Sequence, residues 1–277
     1  MTILTFTLFV LIVAYFAGLL GSLTGLGGGF VLIPVLVLGF DINIHYAMGA
    51  SLIAVIANSS GAAMSYLKNG FMNLRVGMLL ESGAVIGALC GALLVKIIPP
   101  SYIAVLFGCI LLFSSYLTWR RHEDIISAEP SHPWATYLHL ESGYQTGKEY
   151  KQYRVYHVPG ALFFMIIAGA MSGLLGIGAG ALKVLAMDQT MKLPYKVSTT
   201  TSNFIIGITA GVSTGVYFSQ GYIDPLLTFP VVIGVLLGAI SGAKALTFIR
   251  TTLLRKFFSA IILVLGFQMI YKGLFGG

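Results

Sequence analysis

The chain has 277 residues, 57% of them hydrophobic and only 9% charged, with a formal net charge of +7. That balance excludes an ordinary soluble domain, and it needs no nucleic acid to explain its cations, because multi-span membrane proteins hold their basic residues in loops on one side of the bilayer. Cys90 and Cys109 fall in apolar stretches, where they read as small buried hydrophobes without redox meaning.

Apolar blocks follow one another at 3–40, 44–66, 76–98, 102–119, 158–187, 197–218, 226–247 and 257–271. A helix needs about 20 residues to cross the hydrocarbon core, so most blocks qualify as spans. The opening block has no basic n-region and no small-residue cleavage site, which predicts that it belongs to the fold and is not a removed signal. It is also too long for one span, and it is interrupted by "LTGLGGGFVLIPVL", which starts at Leu23. Gly25, Gly27, Gly28 and Gly29 therefore predict the turn of a hairpin within the membrane. Next comes a block with Ser51, Asn58, Ser59 and Ser60, then one containing Glu81.

The second part of the chain repeats this order. "LLGIGAGALKVLAM" begins at Leu174, 151 residues after Leu23, with Gly176, Gly178, Ala179 and Gly180 at its turn and Lys183 one helical turn later. "VSTTTSNF" then supplies Ser202 and Asn203. The same offset pairs Ser51 with Ser202, and Gly83, Gly87 and Gly91 with Gly234, Gly238 and Gly242. The expected organisation is a first transmembrane repeat over 1–119, a polar cytoplasmic linker over 120–157 and a second repeat over 158–277.

Loop cations alternate between equivalent positions of the two repeats, as opposite orientation would produce. If each repeat is a glycine-broken hairpin followed by three spans, twelve loop cations between Lys68 and Lys256 share one side, and Lys96 and Lys272 lie opposite. The predicted fold is thus an all-α integral membrane protein of two inverted repeats, multi-pass in the cell membrane, with both termini outside. Oligomeric state is not legible.

Broken helices at matching places in inverted halves point to a transporter's substrate site, and free N–H groups at such breaks favour an anion. The alternative is that the glycines only let helices approach. For the four-residue spacing of Gly83/Gly87/Gly91 and Gly234/Gly238/Gly242, helix packing is the expectation. Candidate substrate contacts are Gly25, Gly27, Gly28, Gly29, Ser51, Gly176, Gly178, Ala179, Gly180, Lys183, Ser202 and Asn203. Glu81 can pair with Arg75 or take a coupling proton. An unpaired ammonium within the membrane is costly, so Lys183 must lose its proton, find Glu81 or Asp188, or hold an anionic ligand, and the hairpin dipole favours the ligand. Lys244, near a helix end, can snorkel.

No metal-ligand spacing and no nucleotide- or other cofactor-binding motif is present. "GVSTG" at Gly211 spells a hydrolase elbow, but it lies inside a predicted span and lacks an evident base, so no catalytic residue is expected.

Two glycine-rich hairpins, "GLGGGFVLIP" and "GIGAGALKVL", around a polar central loop resemble the TauE/SafE sulfite exporter family over nearly the whole chain. The resemblance implies a permease, generally outward, for sulfite, sulfonates or related sulfur-containing anions. The first motif matches at Gly25, Gly27, Gly28, Gly29 and Pro34; in the second, Ala179 replaces a glycine, Leu185 stands at the proline position and Lys183 at a usually apolar one. Other readings of the residues are a permease for a carboxylate or another non-sulfur anion, and a non-transporting scaffold or receptor subunit.

Overall fold

A computed structural model describes residues 3–66, 72–119, 133–146, 149–245 and 251–275. Lys68, Gly70, Arg120, Arg121, Lys148 and Arg250, used in the charge and repeat arguments, lie outside the described residues. The first half holds α1 (Ile3–Thr24), α2 (Gly29–Pro34), α3 (Ile44–Tyr66), α4 (Leu74–Leu94) and α5 (Pro100–Trp119). A short α6 (Pro133–Tyr137) and an antiparallel hairpin of β1 (Ser142–Thr146) and β2 (Glu149–Tyr153) follow. The second half holds α7 (Val158–Leu175), α8 (Gly180–Leu185), α9 (Tyr195–Ser219), α10 (Pro225–Ala245) and α11 (Thr251–Phe275). Five of these, α1, α3, α4, α7 and α10, are long and apolar enough to cross a membrane. The chain is an all-α membrane protein with one small β hairpin.

The offset of 151 carries α2 onto α8 and α4 onto α10 with coincident bounds, and the π-helical turn Val35–Gly39 onto Ala186–Thr190. Even loop backbone repeats: Asp41 and Lys192, one offset apart, have φ of 53° and 54°. Local chemistry explains the starts. Asn73 caps α4, accepting from Val76 N at 3.1 Å, and its counterpart Asp224 accepts from Leu226 N at 2.9 Å ahead of α10. Each thereby satisfies a backbone donor that a helix start leaves open.

Contacts fix relative directions. Ser59 Oγ donates to the Phe204 carbonyl at 2.9 Å, and Met48 meets Tyr217, so α3 and its counterpart α9 run antiparallel. Ser115 Oγ and Ser259 Oγ are 2.8 Å apart, and Gly273 lies against Ser101, so α5 and α11 also run antiparallel. Each first hairpin arm packs on the other half, α1 on α10 and α7 on α4. The glycine triplets make these interfaces: a β-carbon at Gly238 would collide with the Tyr15 carbonyl, one at Gly87 with that of Ile166, and one at Gly91 with that of Ala170. Small residues here let backbones touch, which is the main source of helix association where water supplies no hydrophobic drive.

The loops sort into two ends. At one, the rings of Phe6 and Phe40 are 5.2 Å apart, His45 stacks on Tyr222 at 4.7 Å, and Lys272 Nζ meets Asp41 Oδ1 at 2.5 Å. Lys272 holds the exposed Asp41 carboxyl below its ordinary range, first through that hydrogen bond. At the other end, Asn73 Nδ2 donates to the Leu140 carbonyl at 2.8 Å and to Tyr153 Oη at 2.9 Å, and Tyr156 N donates to the Met191 carbonyl at 3.3 Å. The described part of the linker is therefore packed against this end, burying Ala135, Leu140 and Val155. Cys90 and Cys109 face outward and are exposed, contrary to the expectation of burial, because the outer surface of such a bundle is itself apolar.

Candidate functional site

The two glycine turns meet at the centre of the fold. Both Gly27 and Gly178 lie against Val55 and Ile206, residues about halfway along α3 and α9. Each turn uses left-handed backbone: φ is 78°, 86° and 77° at Gly25, Gly27 and Gly28, and 67°, 73° and 44° at Gly176, Gly178 and Ala179. Ala179 thus adopts a conformation that costs a residue with a β-carbon roughly 1–2 kcal/mol. Gly29 and Gly180 serve close approach as well. A β-carbon at Gly29 would stand 3.2 Å from Ile177 Cα, and one at Gly180 would strike the Gly25 carbonyl. The second hairpin arms are short, Gly29–Pro34 and Gly180–Leu185, each continued by its π-helical turn back to the end from which its hairpin entered.

Polar side chains of α3 and α9 surround this junction. Ser202 Oγ lies 3.2 Å from the Gly25 carbonyl and 3.3 Å from the Gly180 carbonyl, so its proton ties one turn to the other. Asn203 Nδ2 donates to the Ser22 carbonyl at 2.9 Å, at the end of α1. Ser51 is fully buried beside Gly29, and Thr199 is 1% exposed beside Gly25. Among the described residues no hydrogen-bond partner is found for Ser51 Oγ, Thr199 Oγ1 or Asn203 Oδ1. Buried polar atoms are nearly always paired, so these three leave hydrogen-bonding capacity unused around one junction. Thr199 is one of the hydroxyl residues of "VSTTTSNF" that rank below Ser202 and Asn203 in the sequence, and its spacing of three from Ser202 puts both on one helix face.

Lys183 and Glu81 come together about two helical turns further along α9. Lys183 Nζ lies 2.9 Å from Glu81 Oε2, with the lysine fully buried and the glutamate 3% exposed. Thr209 bridges them, accepting from the ammonium and donating to Glu81 Oε1. Of the three fates open to Lys183, the structure displays the pairing with Glu81. The Arg75 alternative for Glu81 is not realised: six residues apart on a helix, they point about 120° away from each other, and Arg75 Nη1 donates to the His139 carbonyl at 2.9 Å instead. Thr209 escaped the sequence reading, though Ser202 and Thr209 stand seven apart on one face. Ser213, of the discarded "GVSTG" motif, is buried within α9 and donates to the Thr209 carbonyl at 3.1 Å.

An apolar groove of about 990 Å³ lies elsewhere, between the first π-helical turn and the end of α11, lined by Val35, Leu38, Phe267, Tyr271 and others. Its lining is mostly apolar, with Gln268 and Lys272 of α11 as its polar members.

The family model of the sulfite exporter TauE/SafE matches residues 10–269. The chain belongs to the TauE/SafE family. It is 26% identical over 275 residues to a Bacillus subtilis protein named "Probable membrane transporter protein YunE", covering 94% of this chain and 95% of that one. "Probable membrane transporter protein MJ0441" of Methanocaldococcus jannaschii is 27% identical over 278 residues, covering 94% of each. A plant relative, "Sulfite exporter TauE/SafE family protein 5" of Arabidopsis thaliana, is 28% identical over 111 residues, 39% of this chain and 25% of that protein. No solved structure matches the chain. A TauE/SafE member is a membrane transporter and not an enzyme.

Proposed function

We propose that this protein carries a small sulfur-containing oxyanion, sulfite or an organosulfonate, outward across the cell membrane by alternating access between two inverted halves. The observation that carries the reading is the convergence of both glycine turns with the open hydroxyls of Ser51 and Thr199. Hydroxyl and backbone N–H donors can hold an oxyanion without the desolvation cost of a fixed charge. Asn203 Oδ1 would accept from a ligand hydroxyl or ammonium, such as that of bisulfite or taurine. Antiparallel counterparts crossing at this point provide what alternating access needs, a site between two elements that can rock against each other.

The end bearing the linker is assigned to the cytoplasm. Arg75, Lys151, Arg154, Lys192, Lys196 and Lys244 belong to it, whereas Lys96 and Lys272 belong to the opposite end, the bias expected of cytoplasmic loops. Cysteines introduced at Gln145 are expected to react only with membrane-permeant reagents in intact cells, and cysteines at Asn43 or Asp224 with impermeant ones. Labelling of Asn43 and Pro194 positions from the same face would contradict the inversion.

The substrate assignment is tested by thermal-shift binding of the purified protein to sulfite, sulfate, thiosulfate, taurine, sulfoacetate and simple carboxylates. Stabilisation by sulfur oxyanions that is lost on Ser51→Ala or Thr199→Val supports it. A response confined to carboxylates removes the sulfur assignment.

A further inference from the structure

The internal repeat provides a comparison for the buried ion pair. The 151-residue offset relates Lys183 to Leu32, Glu81 to Val232 and Thr209 to Asn58. One fold thus builds the same arrangement of short hairpin arm and two long helices twice, once with a pair of charges and once with two aliphatic side chains at the matching positions. The counterpart site, built from α2, α3 and α10, has no ion pair at these positions, and buried pairs seldom hold a fold together better than aliphatic side chains of similar volume. The pair between α8 and α4 therefore calls for a reason other than packing.

We propose that Lys183 and Glu81 form a proton-operated counter-ion switch, in which the ammonium is held by the Glu81 carboxylate when no anion is bound and by the anion once Glu81 has taken up a proton. The inference rests on the anion-transport reading and adds its coupling. Charge balance drives it: lysine ammonium with carboxylate is neutral, and ammonium with carboxylic acid and a monovalent anion is neutral, whereas either event alone leaves a net charge buried in the bilayer. Protonation at Glu81 Oε2 breaks the salt bridge. The proton comes from the aqueous side to which the site is open and leaves with the anion on the other, so one proton moves with each negative charge. Thr209, between the two groups, can turn its hydroxyl from donating to Glu81 to accepting from the new carboxylic acid. Lys183 is one helical turn from Gly180, and its flexible four-carbon stem lets the ammonium swing from the Thr209 level toward the glycine turns.

Other charged groups on the packed elements leave this pair to itself. Arg75 of α4 and Lys196 of α9 are exposed, Asp188 and Lys192 after α8 are half-exposed, and α7 has no charged residue. Tyr217 of α9 donates to the carbonyls of Gly173 and Leu174, both at 3.1 Å.

The test uses purified full-length protein in vesicles with an internal pH-sensitive dye, and methanesulfonate and isethionate as probes, organosulfonates that carry one constant negative charge between about pH 6 and 8. Wild-type protein is expected to move protons in the direction of the probe, with probe affinity rising by up to about tenfold per unit fall in pH. Glu81→Gln is expected to abolish both the proton movement and the pH dependence. Lys183→Leu with Glu81→Val, which copies Leu32 and Val232 of the counterpart site, is expected to remain folded and to move no protons. Probe flux without proton movement, or an unchanged pH profile in Glu81→Gln, overturns the switch while leaving the transport reading intact. Absence of any probe flux in the wild type removes the transport reading and the switch with it.

Discussion

Lys183→Met is expected to destabilise the folded protein by about 3–5 kcal/mol, the cost of breaking a buried pair from one side. The loss comes from Glu81, which is 3% exposed and would retain only Thr209 as a side-chain partner. Lys183→Leu combined with Glu81→Val is expected to recover most of it, because both charges leave together and Leu32 and Val232 already occupy the matching positions. Denaturant or thermal unfolding in detergent measures both. A double variant as unstable as the single one would show that the ion pair is a structural requirement of the contact between α8 and α4.

Gly238→Val is expected to cost about 3 kcal/mol, the upper range for forcing extra volume into a packed interface. The first new atom would overlap the Tyr15 carbonyl, and backbone cannot move aside as a side chain does. α1 and α10 would have to separate along the whole stripe in which Gly234 and Gly242 also meet α1. Gly87→Val predicts a comparable loss at the equivalent contact of α4 with Ile166. Gly215→Ala, on α9 with no neighbour within 4 Å, is the control and should stabilise slightly through helix propensity. Equal melting temperatures for Gly238→Val and the wild type would contradict the close packing.

The ion pair and the glycine stripes differ in how far the sequence makes them legible. The stripes could be read directly, since a four-residue spacing needs only helix geometry to become a face. The hairpins were also legible, because a block as long as 3–40 cannot be one span and because Gly25–Gly29 recurs one offset later. Lys183 was another matter. As an intramembrane cation beside a glycine turn it reads as a partner for an anion, and nothing in the sequence singles out Glu81 over Asp188 as the group that holds it in the folded chain. Its contact with Glu81 spans 102 positions in the chain and depends on how α8, α4 and α9 cross, which periodicity does not encode. Ser202 was similarly read as a ligand donor but spends its proton on two backbone carbonyls. That Ser51 and Thr199 are left open beside the glycine turns follows only from the packed structure. The linker hid its packing for a different reason: its polar composition masks a few apolar anchors, Ala135, Leu140 and Val155, too scattered to form a pattern.

The central claim is that an anion is exchanged across the membrane at the junction of the two glycine turns. Counterflow tests it most directly: vesicles loaded with unlabelled sulfite, thiosulfate or sulfoacetate are diluted into a trace of the same labelled anion. Transient accumulation of label in wild-type vesicles, lost in Ser51→Ala with Thr199→Val while the protein remains folded, is the result predicted here. Label that never exceeds equilibrium for any of these anions, or accumulation undiminished by that pair of substitutions, would contradict it.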